Sequence, residues 1–298
     1  MGQEWAFGDA WPGELAIRRL AQKSSGLFIW AATACRFIKA GESLAEDRLA
    51  EVLEGSRSDA TPEQHLDQIY LTVLQSSIPI TFREQEKALL YSMQRQVLGS
   101  IVVSLSPLSA ASLGRLVDLS TRQVEQTLRK LRAIVDIPKD AAGFLRLHHP
   151  SFRDFLLDKD RCSNPKFWVN ERQAHGKLAD DCIQLMSISL KRDVCGQGAP
   201  GILVADVEGS RIEQCLPPEA RYACLYWIQH LQRSDGQLCD NKEVYPFLQL
   251  HLLHWLEALS WIGKASEGIL AISSLNAQIQ VSILSGIFYT KEILTNLS

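Results

Sequence analysis

Two adjacent histidines, His148 and His149, lie in the stretch FLRLHHPSFRDFLLD, between a short alternating apolar run and an amphipathic helical run. Imidazoles suit proton transfer and anion binding, because their charge responds to modest changes of environment near neutral pH. In a structural interpretation, one ring packs beneath a hairpin and the other caps the following helix. In a functional interpretation, an imidazole projects from the hairpin exit toward an anionic group. The residue types alone leave both interpretations open.

A second histidine pair, His251 and His254, is spaced by one helical turn, and Glu257 follows a further turn on. Such spacing places three metal-ligating side chains on one helix face. The pattern is not HExxH, however, and no cysteine lies within that turn. Tryptophan and leucine neighbours favour a packed helix, so we predict no metal site. The chain also has no Gly-x-Ser-x-Gly elbow, and no catalytic residue is predicted.

Two sequence patterns relate to nucleotide binding. Residues 196–201, GQGAPG, match G-x-G-x-x-G. That motif works between a strand and a helix, whose N-terminus holds pyrophosphate. Here a long helical pattern precedes the glycines and residues 202–205 look extended, so a plain loop is predicted. The Gly-Lys pairs, at 176–177 and 263–264, lack the upstream glycine and the following Ser or Thr of a Walker A loop. We therefore predict that the chain is not an enzyme by itself.

The elements that must position these residues are mostly helices. Apolar residues recur at i, i+3, i+4 and i+7 along most of the chain. This spacing predicts helices over residues 27–38, 42–54, 61–74, 109–117, 120–135, 167–190, 211–232 and 244–259, with a further stretch to 297. Thr61-Pro62-Glu63-Gln64 has the pattern of a capping box, and Thr81 with Glu84 predicts a second one.

Residues 97–158 follow a different pattern. Three short helices precede two predicted strands, residues 135–137 and 144–147, and Pro150 then begins another helix. Three helices followed by a small hairpin is the order of a winged helix. The third helix carries a local excess of positive charge, which makes a DNA-binding regulator the alternative function. Its basic residues are Arg122, Arg129, Lys130 and Arg132.

Composition restricts the class of protein. Hydrophobic residues are 46% and charged residues 22% of the chain, which is typical of a folded globular protein. The net charge of −3 gives no overall attraction to nucleic acid, so DNA ranks second as a partner. Seven cysteines form no CxxC pair, which favours a reduced intracellular protein with buried thiols. No apolar run reaches the roughly 18 residues of a membrane span, so we predict a soluble, cytoplasmic protein.

The stretch HPSFRDFLL at residues 149–157 resembles the winged-helix motif of NACHT-type signalling ATPases, in which a histidine precedes x-Ser-Phe-x-Asp/Glu-Phe. Further stretches resemble the fungal NOD-like receptors, the group that includes the heterokaryon-incompatibility proteins. They are WPGE at 11–14, GLFIWAATACRFI at 26–38, TPEQHLDQIY at 61–70, SPLS at 106–109, FWVNE at 167–171, ACLYWIQHLQ at 223–232 and HWLEAL at 254–259. The resemblance covers nearly the whole chain.

This resemblance implies a regulated switch. In such proteins a NACHT ATPase binds nucleotide, and a histidine matching His149 reaches the β-phosphate of ADP and holds the closed, inactive form. His148, Arg146 and Arg153 flank that position. The phosphate-binding loop of the family lies upstream of the residues that match. The resemblance therefore implies a fragment or truncated paralogue, with ADP or ATP as cofactor only together with a complete NACHT domain.

We therefore predict a mainly α chain, in which helical segments flank a winged-helix domain with a small β-hairpin. The predicted domains are 1–57, the C-terminal helical part of a NACHT module; 58–96, a helical domain; 97–160, the winged helix; and 161–298, a C-terminal helical domain. The predicted partners are proteins, full-length NOD-like homologues in the first place, with no membrane association, and nucleic acid is the less favoured partner.

Overall fold

The computed structural model describes residues 11–54, 60–140, 142–198, 202–234 and 244–275, and these are mainly α-helical. The helices are α1 (Glu14–Ser24), α2 (Phe28–Lys39), α3 (Ala45–Glu54), α4 (Pro62–Ser76), α5 (Glu84–Val103), α6 (Ala110–Leu116), α7 (Thr121–Arg129), α8 (Ser151–Leu157), α9 (Glu171–Ser189), α10 (Gly209–Cys215), α11 (Pro218–Gln232) and α12 (Val244–Trp261). Short 3₁₀ turns cover Glu42–Leu44 and Val204–Asp206. The predicted fold class is confirmed.

One small hairpin accompanies the helices in the described part of the chain. Strand β1 (Val135–Asp136) pairs antiparallel with β2 (Arg146–Leu147), so that Val135 lies opposite Leu147 and Asp136 opposite Arg146. Both strands are shorter than predicted. The order of helices before this hairpin is the predicted one, while the assignment to a winged-helix domain stays a prediction.

The chain forms two compact units. The first comprises Met1–Val102 and Arg122–Val169, and the second comprises Val103–Thr121 and Asn170–Ser298. The predicted winged-helix segment therefore contributes residues to both units, since α6 belongs to the second unit while most of α7 and the hairpin belong to the first. The boundaries between the four predicted domains stay predictions.

The core of the first unit forms where α2, α3 and α4 pack together and α8 lies against α4. Tyr70 of α4 contacts Phe152 and Phe155 of α8, with ring centroids 5.1 and 5.4 Å apart. All three side chains are almost fully buried. Arg161, beyond the end of α8, adds an ion pair to Asp67 of α4 at 2.7 Å. These contacts fix the start of α8, where His149 lies, against α4.

Helix α4 begins with the predicted capping box. Thr61 Oγ1 accepts a hydrogen bond from the Gln64 backbone N–H at 3.3 Å, and the Gln64 side chain accepts one from the Thr61 N–H at 2.9 Å. Both bonds satisfy N–H groups that the first turn of a helix leaves without partners. The sequence pattern was sufficient here because both partners are local.

We expect Thr61→Ala to lower the free energy of unfolding by about 1 kcal/mol, because the first turn of α4 loses its side-chain acceptor. The measurement is urea unfolding at constant m-value. Thr61→Ser keeps the hydroxyl and should unfold close to the parent protein. An unchanged midpoint in Thr61→Ala would show that the cap contributes nothing to stability.

The second predicted capping box, Thr81 with Glu84, is wrong. Helix α5 begins at Glu84. The Arg83 backbone N–H donates to Glu86 Oε2 at 2.8 Å, so Glu86 caps this end of the helix. Glu84 lies three positions after Thr81, and Glu86 lies three positions after Arg83, so the sequence allows two positions for the start of the helix. The structure has the later one.

The core of the second unit is the packing of α9 on α11, with α6 and α12 lying against both. Trp227 of α11 meets Trp255 of α12 edge to face, with ring centroids 5.6 Å apart. The Trp255 indole N–H donates to the Cys224 carbonyl at 2.9 Å, so its polar atom is satisfied inside the core. Arg115 of α6 forms an ion pair with Glu219 of α11.

Three predicted elements of this unit need correction. Helix α9 begins at Glu171 rather than 167, because Asn170 caps it by accepting from the Gln173 N–H at 3.1 Å. The predicted helix 211–232 is two helices, since consecutive prolines at 217 and 218 cannot continue α10 and instead begin α11. Of residues 202–205, which are predicted to be extended, 204 and 205 belong to the 3₁₀ turn Val204–Asp206.

The last predicted helical stretch is described only in part. Residues 265–275 are helical, and 276–297 lie outside the described residues. In the described ranges, every helix is too short or too polar to cross a lipid bilayer.

Four of the described cysteines are buried, whereas Cys35 is exposed and Cys215 is intermediate, which corrects the expectation that the thiols are uniformly buried.

Candidate functional site

His149 lies between the end of β2 and the start of α8, and its side chain is exposed. Its Nδ1 accepts a hydrogen bond from the Ser151 backbone N–H at 3.1 Å. The Ser151 hydroxyl oxygen lies 2.7 Å from the same nitrogen. Within the described residues, Nε2 of His149 has no hydrogen-bond partner. One nitrogen of the ring therefore caps α8 while the other faces outward.

The Ser151 hydroxyl also contacts the core of the first unit. The Tyr70 hydroxyl lies 2.8 Å from Ser151 Oγ, and the Tyr70 side chain is only 1% exposed. Burial raises the pKa of the Tyr70 phenol, so it keeps its proton and can donate. The exposed imidazole is thus connected to a buried phenol through one serine.

His148 has a different environment. Its backbone N–H donates to the Ile134 carbonyl at 3.0 Å, and its ring Nε2 lies 3.1 Å from the Arg132 carbonyl. Because a carbonyl oxygen only accepts, Nε2 of His148 carries the proton. His148 therefore fastens the hairpin to the turn before it. The structural interpretation accounts for His148 and for Nδ1 of His149, but it gives no role to Nε2 of His149.

The flanking arginines differ in their engagement. Arg153 donates from Nε to the Val102 carbonyl at 2.8 Å, which ties α8 to α5 within the first unit. Arg146 is exposed on β2. Of these two arginines and the two histidines, His149 is the one whose ring is held through Nδ1 while Nε2 has no hydrogen-bond partner among the described residues.

The basic residues behind the DNA-binding alternative do not share one helix. Arg122 and Arg129 lie on α7, which ends at Arg129, whereas Lys130 and Arg132 lie in the turn that follows. All four side chains are exposed. The single basic recognition helix predicted for residues 120–135 therefore ends at Arg129, and a turn carries the last two basic residues.

The possible metal ligands of α12 serve other contacts. Glu257 accepts backbone N–H bonds from Asp193 and Val194 at 3.1 and 3.0 Å, so both carboxylate oxygens hold the loop after α9. The His251 ring stacks on Phe247 with centroids 5.7 Å apart. Residues 193–198 form a turn-rich loop in which Gly196 and Gly198 adopt positive φ, whereas residues 199–201 of GQGAPG lie outside the described residues.

A buried polar network in the second unit was missed by the sequence reasoning. Nδ1 of His175 lies 2.7 Å from Nδ1 of His230, and the Tyr222 hydroxyl lies 2.8 Å from His230 Nε2. Tyr222 also accepts from the Leu105 backbone N–H at 3.1 Å. These residues are 45 or more positions apart in sequence, apart from Tyr222 and His230 on α11, so no local pattern predicts that they meet.

One direction in this network is fixed, because the Leu105 backbone N–H must donate to the Tyr222 oxygen. The Tyr222 hydroxyl also has the Ser104 side chain as a partner, and one of the two Nδ1 atoms of His175 and His230 donates to the other. Burial, with a contribution from His175, lowers the pKa of His230 to about 3. His175 and His230 are 2% and 0% exposed, so they form a polar core rather than a ligand site.

Comparison with known proteins identifies one relative. The chain is 26% identical over 283 residues to the vegetative incompatibility protein HET-E-1 of Podospora anserina, a match that covers 87% of this chain and 19% of that protein. The chain thus spans about a fifth of the length of the curated relative it matches. No family model and no solved structure matches the chain.

Proposed function

We propose that this chain is a regulatory segment of a fungal incompatibility-type signalling ATPase of the NACHT class. His149 supplies a hydrogen-bond donor to the β-phosphate of ADP, which is held by NACHT residues that this sequence does not contain. The observation that carries the proposal is the geometry of His149: Nδ1 is held by Ser151 while Nε2 faces outward from an exposed ring. The similarity to a vegetative incompatibility protein supports the same class of function.

In this proposal the contact holds a closed state. A donor beside a phosphate oxygen forms a charge-assisted hydrogen bond, which contributes about 1.5–3 kcal/mol when both partners are well placed. Exchange of ADP for ATP would remove or rearrange the contact and bias the switch toward its open form. The chain by itself has no Walker A pattern, so nucleotide turnover is assigned to the ATPase module.

The proposal requires a protein partner or a larger polypeptide that carries the nucleotide. We expect the chain to co-purify with a full-length homologous ATPase when the two are expressed together. ADP titrated into that complex should bind about tenfold more weakly when His149 is replaced by Ala, a loss of about 1.4 kcal/mol. Isothermal titration calorimetry measures the difference.

A matched control is His251→Gln, which removes an imidazole from α12 without touching His149. It should leave ADP affinity unchanged. Equal ADP affinity of the parent and His149→Ala complexes contradicts the proposed contact. Saturable ADP binding or ATP turnover by the isolated 298-residue chain contradicts the assignment of nucleotide to another module.

A further inference from the structure

We infer that Ser151 and Tyr70 are positioning residues that fix His149 in the tautomer with its proton on Nε2, so that the ring presents a neutral, outward N–H donor. The geometry of the inference stands without any nucleotide. Its meaning for phosphate recognition rests on the proposed function of His149.

The tautomer follows first from the backbone. The Ser151 N–H is always a donor, and it is directed at Nδ1 of His149 over 3.1 Å. Nδ1 must therefore present its lone pair, and a neutral imidazole with a bare Nδ1 carries its proton on Nε2. This argument requires no assumption about hydroxyl orientation.

The hydroxyl groups then have only one consistent arrangement. Since Nδ1 carries no proton, the Ser151 O–H donates to it across 2.7 Å. Ser151 Oγ is then free to accept from the Tyr70 O–H at 2.8 Å. Tyr70 keeps its proton because its hydroxyl lies in a buried environment. Each group donates toward His149, so the two hydroxyl hydrogen bonds reinforce one another.

The far end of this chain of hydrogen bonds is rigid. The Tyr70 ring packs against Phe152 and Phe155, and all three residues belong to the buried contact of α4 with α8. Packing therefore determines where the phenol oxygen lies, the phenol determines the Ser151 rotamer, and Ser151 determines the plane of the imidazole. The orientation of the exposed His149 ring is thereby set by side chains that are packed in the core.

The structure consequently assigns His149 the role of a directed hydrogen-bond donor. An Nε2–H donor recognises an acceptor such as a phosphate or carboxylate oxygen, and needs no positive charge of its own to do so. Without the hydroxyl hydrogen bonds, only the Ser151 backbone N–H would hold the ring, and the ring would rotate more freely.

The test is nitrogen NMR of the full chain labelled with ¹⁵N-histidine, using long-range ¹H–¹⁵N correlation at pH 8. The His149 signals are those lost in His149→Gln. We expect one tautomer, with the proton on Nε2 and Nδ1 as an acceptor. In Ser151→Ala the Nδ1 signal should move, because Nδ1 loses the hydroxyl donor, while the backbone N–H of residue 151 should still keep the proton on Nε2. Ser151→Thr, which keeps the hydroxyl, should restore the parent pattern.

Two further variants separate positioning from general disturbance. Tyr70→Phe keeps the ring in the core and removes only the hydroxyl, and it should shift the Nδ1 signal in the same direction as Ser151→Ala. Ser76→Ala removes a hydroxyl from the same helix α4, where it contacts Glu51, and should leave the His149 signals unchanged. Circular dichroism confirms that each variant remains folded.

A parent chain with the proton on Nδ1, or with both tautomers populated, overturns the inference. So does a Ser151→Ala chain whose His149 signals equal those of the parent. Because no nucleotide or partner is present in this experiment, its result is independent of the co-purification test. A locked Nε2–H tautomer together with no ADP effect of His149→Ala would sustain the positioning role and contradict only the proposed phosphate contact.

Discussion

Acidification from pH 7 to pH 4 is expected to lower the free energy of unfolding of the second unit by about 3 kcal/mol through His230 alone. The pKa of His230 is lowered to about 3 in the folded chain by burial and by its neighbours His175 and Arg233. In the unfolded chain the imidazole returns to its ordinary pKa of about 6.5. Between these two values only the unfolded chain binds the proton.

The sign follows from this difference in proton binding. The stability contributed by a neutral His230 is fully present above pH 6.5, and it is lost progressively as the pH falls toward 3. Burial raises the pKa of Asp181, also in the second unit, and this effect opposes the loss because the folded chain then takes up a proton more readily. Acidification should still lower the free energy of unfolding over most of the interval from pH 7 to pH 4.

Urea unfolding at pH 7, 6, 5 and 4 measures the effect, and hydrogen exchange of α9 and α11 locates it. His230→Gln keeps an acceptor and a donor but does not titrate. It should be less stable at pH 7 than the parent. Its free energy of unfolding should also fall less steeply with pH, because unfolding then takes up about one proton fewer. A variant whose stability falls with pH as steeply as that of the parent would remove His230 as the cause.

Replacement of Arg115 by Ala is expected to destabilise the chain by about 3 kcal/mol, the low end of the range for breaking a buried ion pair. The Glu219 side chain is only 3% exposed, and Arg115 approaches both of its carboxylate oxygens, with Nη2 3.0 Å from Oε2. The hydrogen bond that Arg115 donates to the Glu219 carboxylate raises the pKa of the Arg115 guanidinium. The low end applies because the Arg115 side chain is 54% exposed, so water replaces part of what is lost.

The double variant Arg115→Ala with Glu219→Gln tests the mechanism. It removes the buried charge that Arg115→Ala leaves unpaired, and should recover a substantial part of the lost stability. Arg129→Ala, which removes an exposed guanidinium from α7, is the control and should stay within about 0.5 kcal/mol of the parent. A value that small for Arg115→Ala itself would show that Glu219 is satisfied by water.

Local signals in the sequence predicted local structure well. The capping box at Thr61 and the cap at Ser109, which accepts from the Ser112 N–H at 3.1 Å, both begin helices where expected. The break between α10 and α11 was also readable, because Pro217 and Pro218 stand inside the predicted helix. The apolar periodicity on both sides obscured it.

Contacts between distant residues could not be predicted in this way. Tyr70 and Ser151 are 81 residues apart, and His175 and His230 are 55 apart. Nothing in the spacing of either set indicates the partner, since the pairing is decided by which helix faces pack together. His149 was identified through its resemblance to a signalling family, whereas the orientation of its ring is information that only the packing of α8 on α4 provides.

The interleaving of the two units along the chain has a consequence for synthesis on the ribosome. Helix α6 buries Leu113 and Leu116, but α9 and α11 against which it packs are translated later, and Glu219 follows Arg115 by 104 residues. At bacterial to eukaryotic elongation rates this is a delay of roughly 5–20 s. During that interval a nascent polypeptide exposes an apolar helix to chaperones. A product released just after residue 169 would carry that exposed helix permanently.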